Sequence, residues 1–460
     1  MAPEESRQLS PHPSRFATVP DFIRHLRFED LPADVIAQAR RCLLDLIGVA
    51  AAGSRTHAAQ IACRHAAAHM RGSEHESRML FDGRRASAAG VAFAGATMLD
   101  SFDAHDGHVL VKGHVGVAVL PALLAFVDSG AACDDREFMI CLVLGYEVGT
   151  RAGIALHGTV PDFHCSGAWN ALAAAAVGAR LLHLDPAQIR HALGVAEYFG
   201  PRGQIMRVCD KPSMVKDGSG WGAHAGVTAA LLAREGCTGA PALTVENDHV
   251  APHWRDLGTR WRIREQYFKA YPVCRWAQPA VEAALSLQRH EKFTAGDIAR
   301  IAIESFHEAV VLGAGCAIPE TTDEAQYSLP YPVAAALIFG QLGAEAIEMP
   351  QLANPDVRRL LSTMALTEDA GFSRRFPAER WARVRITLND GRVLASEPTI
   401  ARGNPENPLS DAEILEKYHS LADPILGRRR AAEIEHLVSG LAHDQTHDGT
   451  LLRQLLAPAN

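Results

Sequence analysis

The sequence lacks the features that mark membrane, secreted and nucleic-acid-binding proteins. No segment approaches the about 20 uninterrupted apolar residues of a membrane span, and residues 1–15 contain no apolar core of a secretory signal. Acidic residues outnumber basic ones, 53 to 45, and the net charge is −8. No run of Lys and Arg is long enough to follow a phosphate backbone, so we expect neither a nucleic acid nor a membrane as partner.

Cysteine is also sparse and irregularly placed. The nine cysteines are odd in number, and no two of them are in CxxC spacing. This pattern argues against a disulfide framework and against a zinc site, and it fits reduced thiols inside a cell. We therefore expect a cytoplasmic protein with no metal site.

What the sequence does contain is enough apolar material for more than one core. At 460 residues, 48% of them hydrophobic and 21% charged, the chain is typical of a globular protein with two or three domains. Before residue 240, apolar residues recur at helical spacing between short joints marked by Gly, Pro or Asp, and no alternating strand pattern occurs. Helices are predicted at 35–51, 58–70, 91–98, 117–128, 138–156, 168–182 and 223–234.

The pattern changes after residue 240. Residues 297–306 alternate as a strand does, and residues 383–396 alternate on both sides of an Asn-Asp-Gly hairpin turn signal at 389–391. Helices are predicted at 278–288, 332–342, 414–421 and 431–441.

These patterns predict a mainly α fold with a smaller α+β domain. Residues 1–268 and 402–460 form the all-α domain, so that both ends of the chain contribute to it. Residues 269–401 form an inserted α/β lid domain, which contains the strands.

One stretch between two apolar segments concentrates titratable groups. Apolar, Ala-rich residues flank it at 91–98 and 115–126, so such groups are costly to bury there unless they are paired or used in chemistry. Perturbed acids and bases of this kind are what general acid–base catalysis requires. The alternative is a solvated loop with a satisfied hydrogen-bond network. The groups are Asp100, Asp103, His105, Asp106, His108, Lys112 and His114.

Two further irregular stretches carry candidate groups. His164 precedes the helix predicted at 168–182, where peptide N–H groups favour a neutral imidazole that is able to act as a base. A histidine that caps this helix is the alternative. The glycine-rich stretch 201–226 contains Lys216, but it lacks GxxxxGK[ST] and follows no strand, which argues against a nucleotide loop. We interpret it as a flexible loop that presents Lys216 to an anion.

An aromatic and basic segment, residues 267–276, adds Lys269 and Arg275, and Tyr331 follows a Ser-Leu-Pro sequence. Lysine and arginine hold carboxylates, and a neutral histidine removes or returns a carbon-bound proton. Together with the titratable stretch, these groups suit a small polycarboxylate substrate. Each of them alone is more often a solvated or structural side chain, so only their combination predicts a site.

Five segments in this order resemble the successive motifs of the MmgE/PrpD family. The resemblance covers residues 20–455. It implies a large all-α domain built from both termini and a smaller α/β lid, a homodimer, and no metal or organic cofactor. The segments are LDSFDAHDGHVLVKGHVGVAVLP at 99–121, GYEVG at 145–149 with FHCSG at 163–167, MVK at 214–216, YPVCRW at 271–276 and AQYSLPY at 325–331.

The resemblance also implies roles for individual residues, which line a pocket between the two domains. The acidic motif of the family falls on Asp103, with Asp106 beside it. The residues implied as catalytic are Asp103, His114, His164, Lys216, Lys269 and Tyr331. The candidates for substrate binding are Asp106, His108 and Arg275.

The sequence departs from the family pattern at three places. Gly107 stands where the decarboxylases of the family have a pocket Thr, and Val115 replaces the usual Pro after the histidine. The loop after Lys216 reads Asp-Gly-Ser-Gly-Trp-Gly, where many relatives have a basic run containing His and Arg. Fewer positive charges beside the substrate imply fewer carboxylates to hold, or carboxylates at other places.

The resulting hypothesis is a cofactor-independent lyase. His114 or His164 removes a proton α to a carboxylate. Lys216 and Lys269 stabilise the enolate-like charge, and Tyr331 or the second histidine protonates a leaving hydroxyl. The substrate expected first is a hydroxy-polycarboxylate like 2-methylcitrate, by resemblance to 2-methylcitrate dehydratase. The alternatives are decarboxylation as in cis-aconitate decarboxylase, epimerisation of a dicarboxylate as in iminodisuccinate epimerase, and a ligand-binding protein with the same fold.

Overall fold

The first half of the chain forms a bundle of helices, as the periodicity predicts. The computed structural model describes residues 14–72, 76–443 and 449–459. The helices are α1 (Val19–His25), α2 (Ala33–Gly53), α3 (His57–His69), α4 (Ala88–Ser101), α5 (Gly116–Asp128), α6 (Asp135–Thr159), α7 (Gly167–Leu181), α8 (Pro186–Phe199), α9 (Met206–Asp210), α10 (Ser219–Arg234) and α11 (Leu243–Glu246).

The helical part of the chain also contains short strands, which the prediction of an all-α domain over residues 1–268 did not include. Strands β1 (Glu76–Arg78) and β2 (Arg85–Ser87) form an antiparallel pair. Strand β3 (Gly107–His108) pairs with β4 (Gln266–Tyr267), which lies far along the chain. Strands of two or three residues are too short to show an alternating pattern, and this is why the sequence did not reveal them.

Helix α7 lies at the centre of this bundle because its small side chains allow other helices to approach closely. It packs against α5, α6, α8 and α10. A Cβ added to Gly226 of α10 would lie only 2.2 Å from the carbonyl oxygen of Ala171 in α7, so the two backbones are nearly in contact. Helix α7 is thus enclosed by four other helices of the bundle.

Helix α6 is the one helix among the described residues that is long and apolar enough to cross a membrane. Its apolar window is 94% buried by the rest of the protein, as is usual for a core helix of a bundle. Asp134 caps its start, since the carboxylate of Asp134 accepts the backbone N–H of Glu137 at 2.8 Å.

The smaller part of the chain contains the main sheet. Its strands lie in the order β6 (Met364–Glu368), β5 (Ile298–Ser305), β7 (Trp381–Leu388) and β8 (Val393–Ala395). Strand β6 is parallel to β5, the other pairs are antiparallel, and β9 (Thr399–Ile400) pairs with the start of β7. The Asn-Asp-Gly turn at 389–391 joins β7 to β8, as predicted. The elements are α12 (Gln278–Glu291), β5 (Ile298–Ser305), α13 (His307–Gly315), α14 (Thr322–Gln326), α15 (Pro330–Phe339), α16 (Met349–Leu352), α17 (Pro355–Leu361), β6 (Met364–Glu368), α18 (Ala370–Arg375), β7 (Trp381–Leu388), β8 (Val393–Ala395) and β9 (Thr399–Ile400).

The chain then returns to the first bundle through α19 (Asp411–Leu426), α20 (Arg428–Gly440) and α21 (Thr450–Leu456). Helix α19 packs on α2, where the absence of a side chain at Gly48 gives room to Tyr418. The fold is therefore mainly α with a smaller α+β part, as predicted. The domain boundaries at 268 and 402 stay a prediction.

Candidate active site

The titratable stretch between α4 and α5 is buried, so the alternative of a solvated loop is wrong. Its Asp and His residues are at most 6% exposed. Pairing of β3 with β4 places Gly107 opposite Tyr267 and so fixes the stretch against the segment that follows β4. From α19, the Nζ of Lys417 donates at 2.6 Å both to the carbonyl oxygen of Ala104 and to the buried Asp45.

The ammonium of Lys269 and the carboxylate of Asp103 form a buried ion pair at the centre of the site. The Nζ of Lys269 donates to Oδ1 of Asp103 and, at 3.0 Å, to its carbonyl oxygen. Burial works to lower the pKa of Lys269, but Asp103 and other neighbours outweigh it and the net shift is upward. Lys269 is therefore a cation at neutral pH and is available to stabilise negative charge.

His114 is held with one ring nitrogen free. Its Nδ1 lies 2.5 Å from the carbonyl oxygen of Asp106, and since a carbonyl only accepts, Nδ1 carries the proton. Its backbone N–H donates to the hydroxyl of Ser166, the N-cap residue of α7, at 3.0 Å. Its Nε2 faces two carboxylates, at 3.5 Å from Asp217 and 4.0 Å from Asp103.

Burial keeps the two central imidazoles neutral. Burial first, and then the charge of Lys269, holds the pKa of His114 well below its usual 6.5. His105 lies beside it with ring centroids 4.2 Å apart, and burial followed by the neighbouring His114 lowers its pKa in the same way. The Nε2 of His114 therefore has a free electron pair at pH 7, which is what a general base needs.

Asp100 and Asp217 join Asp103 in a cluster of buried carboxyl groups. Burial raises the pKa of Asp100 to about 7, with the charge of Asp103 adding to it, although the backbone N–H of Ser219 donates to Asp100 at 3.1 Å and opposes the shift. Burial, and then Asp100 and Asp103, raise the pKa of Asp217 well above its usual range. Asp217 therefore holds a proton more readily than a solvated carboxyl group does, and it lies next to the imidazole of His114.

Lys216 borders this cluster from the loop before α10. Its Nζ lies 3.0 Å from Asp323 and donates to Oε1 of Gln326 at 3.3 Å. The same Oε1 accepts the backbone N–H of Asp103 at 2.9 Å, so Gln326 of α14 joins the lysine to the titratable stretch. Lys216 is itself 4% exposed and lies outside the cavity lining.

A small cavity of about 30 Å³ opens among these groups. On this measure one water occupies about 10–15 Å³, so the cavity holds about two waters. Four predicted site residues line it: Asp103, His114, Lys269 and Arg275. The polar side chains that also line the cavity include Lys112, Asp217, Tyr267, Tyr327 and Arg380.

The structure does not bring Tyr331 or His164 into this group. The Tyr331 hydroxyl donates to the carbonyl oxygen of Ala346 at 2.6 Å, within the smaller part of the chain. His164 is half-buried, its Nδ1 lies 3.2 Å from the carbonyl oxygen of Arg202, and its ring stacks on that of His157. It does not cap α7 either. Neither side chain lines the cavity, and their catalytic roles stay predictions without a supporting contact among the described residues.

Two residues predicted to bind substrate also face elsewhere. The Asp106 carboxylate accepts the hydroxyl of Tyr146 at 2.6 Å and lies outside the cavity lining. Both ring nitrogens of His108 are engaged, with Glu265 at 2.9 Å and with the backbone N–H of Leu110 at 3.2 Å. These two residues support the shape of the stretch.

Three side chains of the cluster have the donor types of a metal site. Asp103, His105 and His114 offer ligand atoms that lie within 4.8 Å of one another. The ammonium of Lys269 contacts the carboxylate of Asp103 and would repel a metal cation bound to that carboxylate. The prediction of no metal stays a prediction.

Sequence reasoning did not single out two residues that face the cavity. Tyr267 was noted only as part of an aromatic segment, and its pairing position opposite Gly107 depends on a contact between two-residue strands. Arg380 precedes β7 and carries no motif. Gly107 itself was noted as a departure, and the structure explains it: a Cβ there would lie 2.6 Å from both the Nδ1 of His114 and the hydroxyl of Tyr267.

Comparison with known protein families agrees with this architecture. The MmgE/PrpD N-terminal domain matches residues 17–252, and the MmgE/PrpD C-terminal domain matches residues 271–442. The chain belongs to the MmgE/PrpD family. The resemblance inferred from the five motifs is thereby confirmed. In this MmgE/PrpD protein the match to the C-terminal domain extends into α19 and α20, which the sequence pattern assigned to the helical domain.

The relatives of this MmgE/PrpD chain carry names of two reactions. A cis-aconitate decarboxylase-like protein of Aspergillus oryzae is 25% identical over 92% of this chain and 93% of its own length. A cis-aconitate decarboxylase of Aspergillus terreus is 25% identical over 94% of each chain. A 2-methylcitrate dehydratase of Cupriavidus necator is 28% identical over 48% of this chain and 50% of its own length. Decarboxylases and dehydratases are both lyases.

Proposed function

We propose that this MmgE/PrpD protein is a cofactor-independent lyase that acts on a small polycarboxylate by removing a proton α to a carboxylate. The observation that carries the proposal is the neutral, buried His114, whose free Nε2 lies at a cavity that also contains the ammonium of Lys269. The imidazole accepts the proton, and the ammonium stabilises the enolate-like charge that develops.

The proton for a leaving hydroxyl requires an acid that faces the cavity. Two such groups are present, the phenol of Tyr267 and the carboxyl of Asp217. Burial is the main cause that raises the pKa of Tyr267, so its phenol keeps its proton at neutral pH. We place these two groups before Tyr331, whose hydroxyl is bonded to Ala346.

A base that is neutral at pH 7 favours elimination over decarboxylation, because elimination begins with proton removal. We therefore propose first a dehydratase of a hydroxy-polycarboxylate such as 2-methylcitrate. The second candidate is decarboxylation of cis-aconitate, supported by the similarity to fungal decarboxylases over more than nine-tenths of this chain. Epimerisation of a dicarboxylate such as iminodisuccinate uses the same proton removal and is the third.

A cavity of about 30 Å³ has no room for a polycarboxylate. Substrate entry therefore requires its walls to separate, and they come from both parts of the chain. His114 belongs to the helical part, whereas Tyr327 and Arg380 belong to the smaller part. We propose that substrate binds when these two walls move apart.

Product analysis tests the proposal. The purified protein is incubated with 2-methylcitrate, citrate and cis-aconitate, while ultraviolet absorbance, released CO₂ and optical rotation are followed. Growing absorbance without CO₂ indicates dehydration, CO₂ indicates decarboxylation, and changed rotation alone indicates epimerisation. His114→Asn is expected to lower the rate at least about 100-fold, and His290→Asn on the exposed face of α12 is the matched control.

No reaction with any member of the panel would contradict the polycarboxylate assignment and favour a ligand-binding protein. We also propose that the protein is a cytoplasmic homodimer, as the sequence predicts. Sedimentation velocity measures the oligomeric state, and a monomer at micromolar concentration would contradict it.

A further inference from the structure

Arg380 has hydrogen-bond donors that no group in the described part of the chain satisfies. It precedes β7, is 6% exposed and lines the cavity. Its Nη2 donates to the carbonyl oxygen of Val109 at 3.1 Å. Its Nε and Nη1 are buried without a hydrogen-bond partner, and no carboxylate of the described residues lies within ion-pair distance. A buried guanidinium without a counter-ion costs stability unless a bound anion accepts its free N–H groups.

The other cations at the site already have hydrogen-bonded or ion-paired partners in the protein. Lys269 contacts Asp103, and Lys216 lies 3.0 Å from Asp323. Arg275 donates to the side chains of Gln278 and Asn404 and to a backbone carbonyl. The three cations that the sequence suggested for holding carboxylates therefore have protein partners.

Lys112 is a second cation without an anionic partner in the described residues. It lines the same cavity in a left-handed backbone conformation, with φ of 55°. Its Nζ donates weakly to the carbonyl oxygen of Leu110 at 3.3 Å and lies 4.6 Å from the centre of the Phe163 ring. Burial, followed by the charge of Arg380, lowers the pKa of Lys112 to about 8. The charge of Glu308 opposes this shift, but no carboxylate of the described residues forms an ion pair with Lys112 or Arg380, and both cations line the same cavity.

This part of the cavity wall lies next to the proposed base. The ring of Tyr267 contacts the His114 imidazole at a centroid distance of 6.3 Å, and the Arg380 guanidinium lies 5.9 Å from the centre of the same ring. Both groups also line the same cavity, and the charge of Arg380 helps to lower the pKa of His114. A molecule that extends along the cavity can therefore place one carboxylate at Arg380 while another of its carbons meets His114.

We propose that Arg380 and Lys112 form a carboxylate-binding subsite, which anchors a carboxylate of the substrate that does not react. The inference deepens the proposed function, and it rests on that function for the identity of the anion. Arginine suits this role because its planar group keeps its charge when buried and offers several donors to a carboxylate. The subsite also supplies positive charge that the loop after Lys216 lacks.

Binding of an unreactive probe tests the subsite without depending on turnover. Propane-1,2,3-tricarboxylate has neither a hydroxyl to eliminate nor a double bond, and its dissociation constant is measured by titration calorimetry. Arg380→Gln is expected to weaken binding about 10- to 100-fold, which corresponds to one lost charge-assisted contact. Lys112→Gln is expected to weaken it about 10-fold. Arg385→Gln, on an exposed side chain of β7, is the matched control and leaves binding unchanged.

Steady-state kinetics then separate anchoring from chemistry. Because a carboxylate anchor acts on substrate and transition state alike, Arg380→Gln should raise KM with kcat nearly unchanged. Arg380→Lys should restore part of the affinity, since it keeps the charge and loses the planar geometry. Circular dichroism of each variant checks that it is folded, and Lys112→Gln provides the second variant if Arg380→Gln does not fold.

The outcomes of these measurements distinguish the subsite from the reaction. Unchanged probe binding in Arg380→Gln and Lys112→Gln overturns the subsite whatever the activity, and so does the absence of probe binding to the wild type. Weakened probe binding without turnover of any polycarboxylate supports the subsite and contradicts the proposed function. Inorganic phosphate that binds more tightly than the tricarboxylate would overturn the assignment to carboxylates.

Discussion

Replacing Lys269 by Met is expected to destabilise the protein more than replacing Asp103 by Asn, although the two side chains form one ion pair. Without Lys269, Asp103 loses the cation that contacts it, and Asp217 loses a nearby positive charge. Without the charge of Asp103, by contrast, Lys269 keeps Asp217 nearby, and the repulsion among the carboxylates falls. The ion pair is therefore expected to be asymmetric.

The magnitudes follow from complete burial of both groups. Removing one partner of a buried pair typically costs about 3–5 kcal/mol, which is the loss expected for Lys269→Met. For Asp103→Asn we expect about 1–3 kcal/mol, as for a buried group that loses one hydrogen-bonded partner. Urea unfolding at pH 7, followed by circular dichroism, measures both free energies of unfolding. Lys292→Met on the exposed end of α12 is the control, with a change within about 0.5 kcal/mol.

Lowering the pH should partly rescue Lys269→Met. The ammonium of Lys269 opposes the rise in the pKa of Asp217 that burial causes. Without the ammonium this pKa lies further above its unfolded value, so the folded state binds more protons and gains stability as the pH falls. A larger loss for Asp103→Asn than for Lys269→Met, or losses below about 1 kcal/mol for both, would refute this reasoning about the cluster.

Three further results are expected. Gly107→Ala should destabilise the protein by about 1–3 kcal/mol and lower kcat about tenfold or more, because its Cβ would lie 2.6 Å from the ring nitrogen of the base. Urea unfolding and kinetics measure both effects, and Gly440→Ala, whose Cβ meets nothing within 4 Å, is the control. Asp106→Asn should flatten the pH dependence of stability. Burial raises the pKa of this carboxyl to about 7, so the folded wild type keeps a proton that the unfolded chain loses. The wild type therefore loses stability, by a few kcal/mol at most, as the pH rises from about 4 to about 7. An equal slope of the free energy of unfolding against pH in both proteins between pH 5 and pH 8 would contradict this. Tyr267→Phe should lower kcat, whereas Tyr331→Phe should mainly lower stability, by about 1–2 kcal/mol, through a lost bond to a backbone carbonyl; an equal loss of kcat in both variants would contradict their placement.

The helices were predictable because their cause is local. Apolar spacing and capping residues such as Asp134 determine where a helix forms, and the Asn-Asp-Gly turn determines the hairpin of β7 and β8. The pairing of β3 with β4 was not predictable, since it joins two residues to two others across more than 150 positions. No local pattern carries that information.

The site was predictable only in part for the same reason. Residue types and family motifs led to Asp103, His114 and Lys269, which the fold brings together around one cavity. They could not show that Lys216 is already partnered by an aspartate, nor that Arg380 is not. Whether a cation is free to bind a ligand depends on its neighbours in space, and these come from distant parts of the chain.

Exchange of a carbon-bound proton with solvent tests the central claim most directly. The protein is equilibrated with each polycarboxylate in D₂O. Proton NMR then follows the signal of the proton on the carbon α to a carboxylate, which disappears as deuterium replaces it. We expect deuterium at that carbon with the wild type, and exchange at least about 100-fold slower with His114→Asn. No deuterium with any member of the panel, or equal exchange in the variant, would contradict the assignment of His114 as the base.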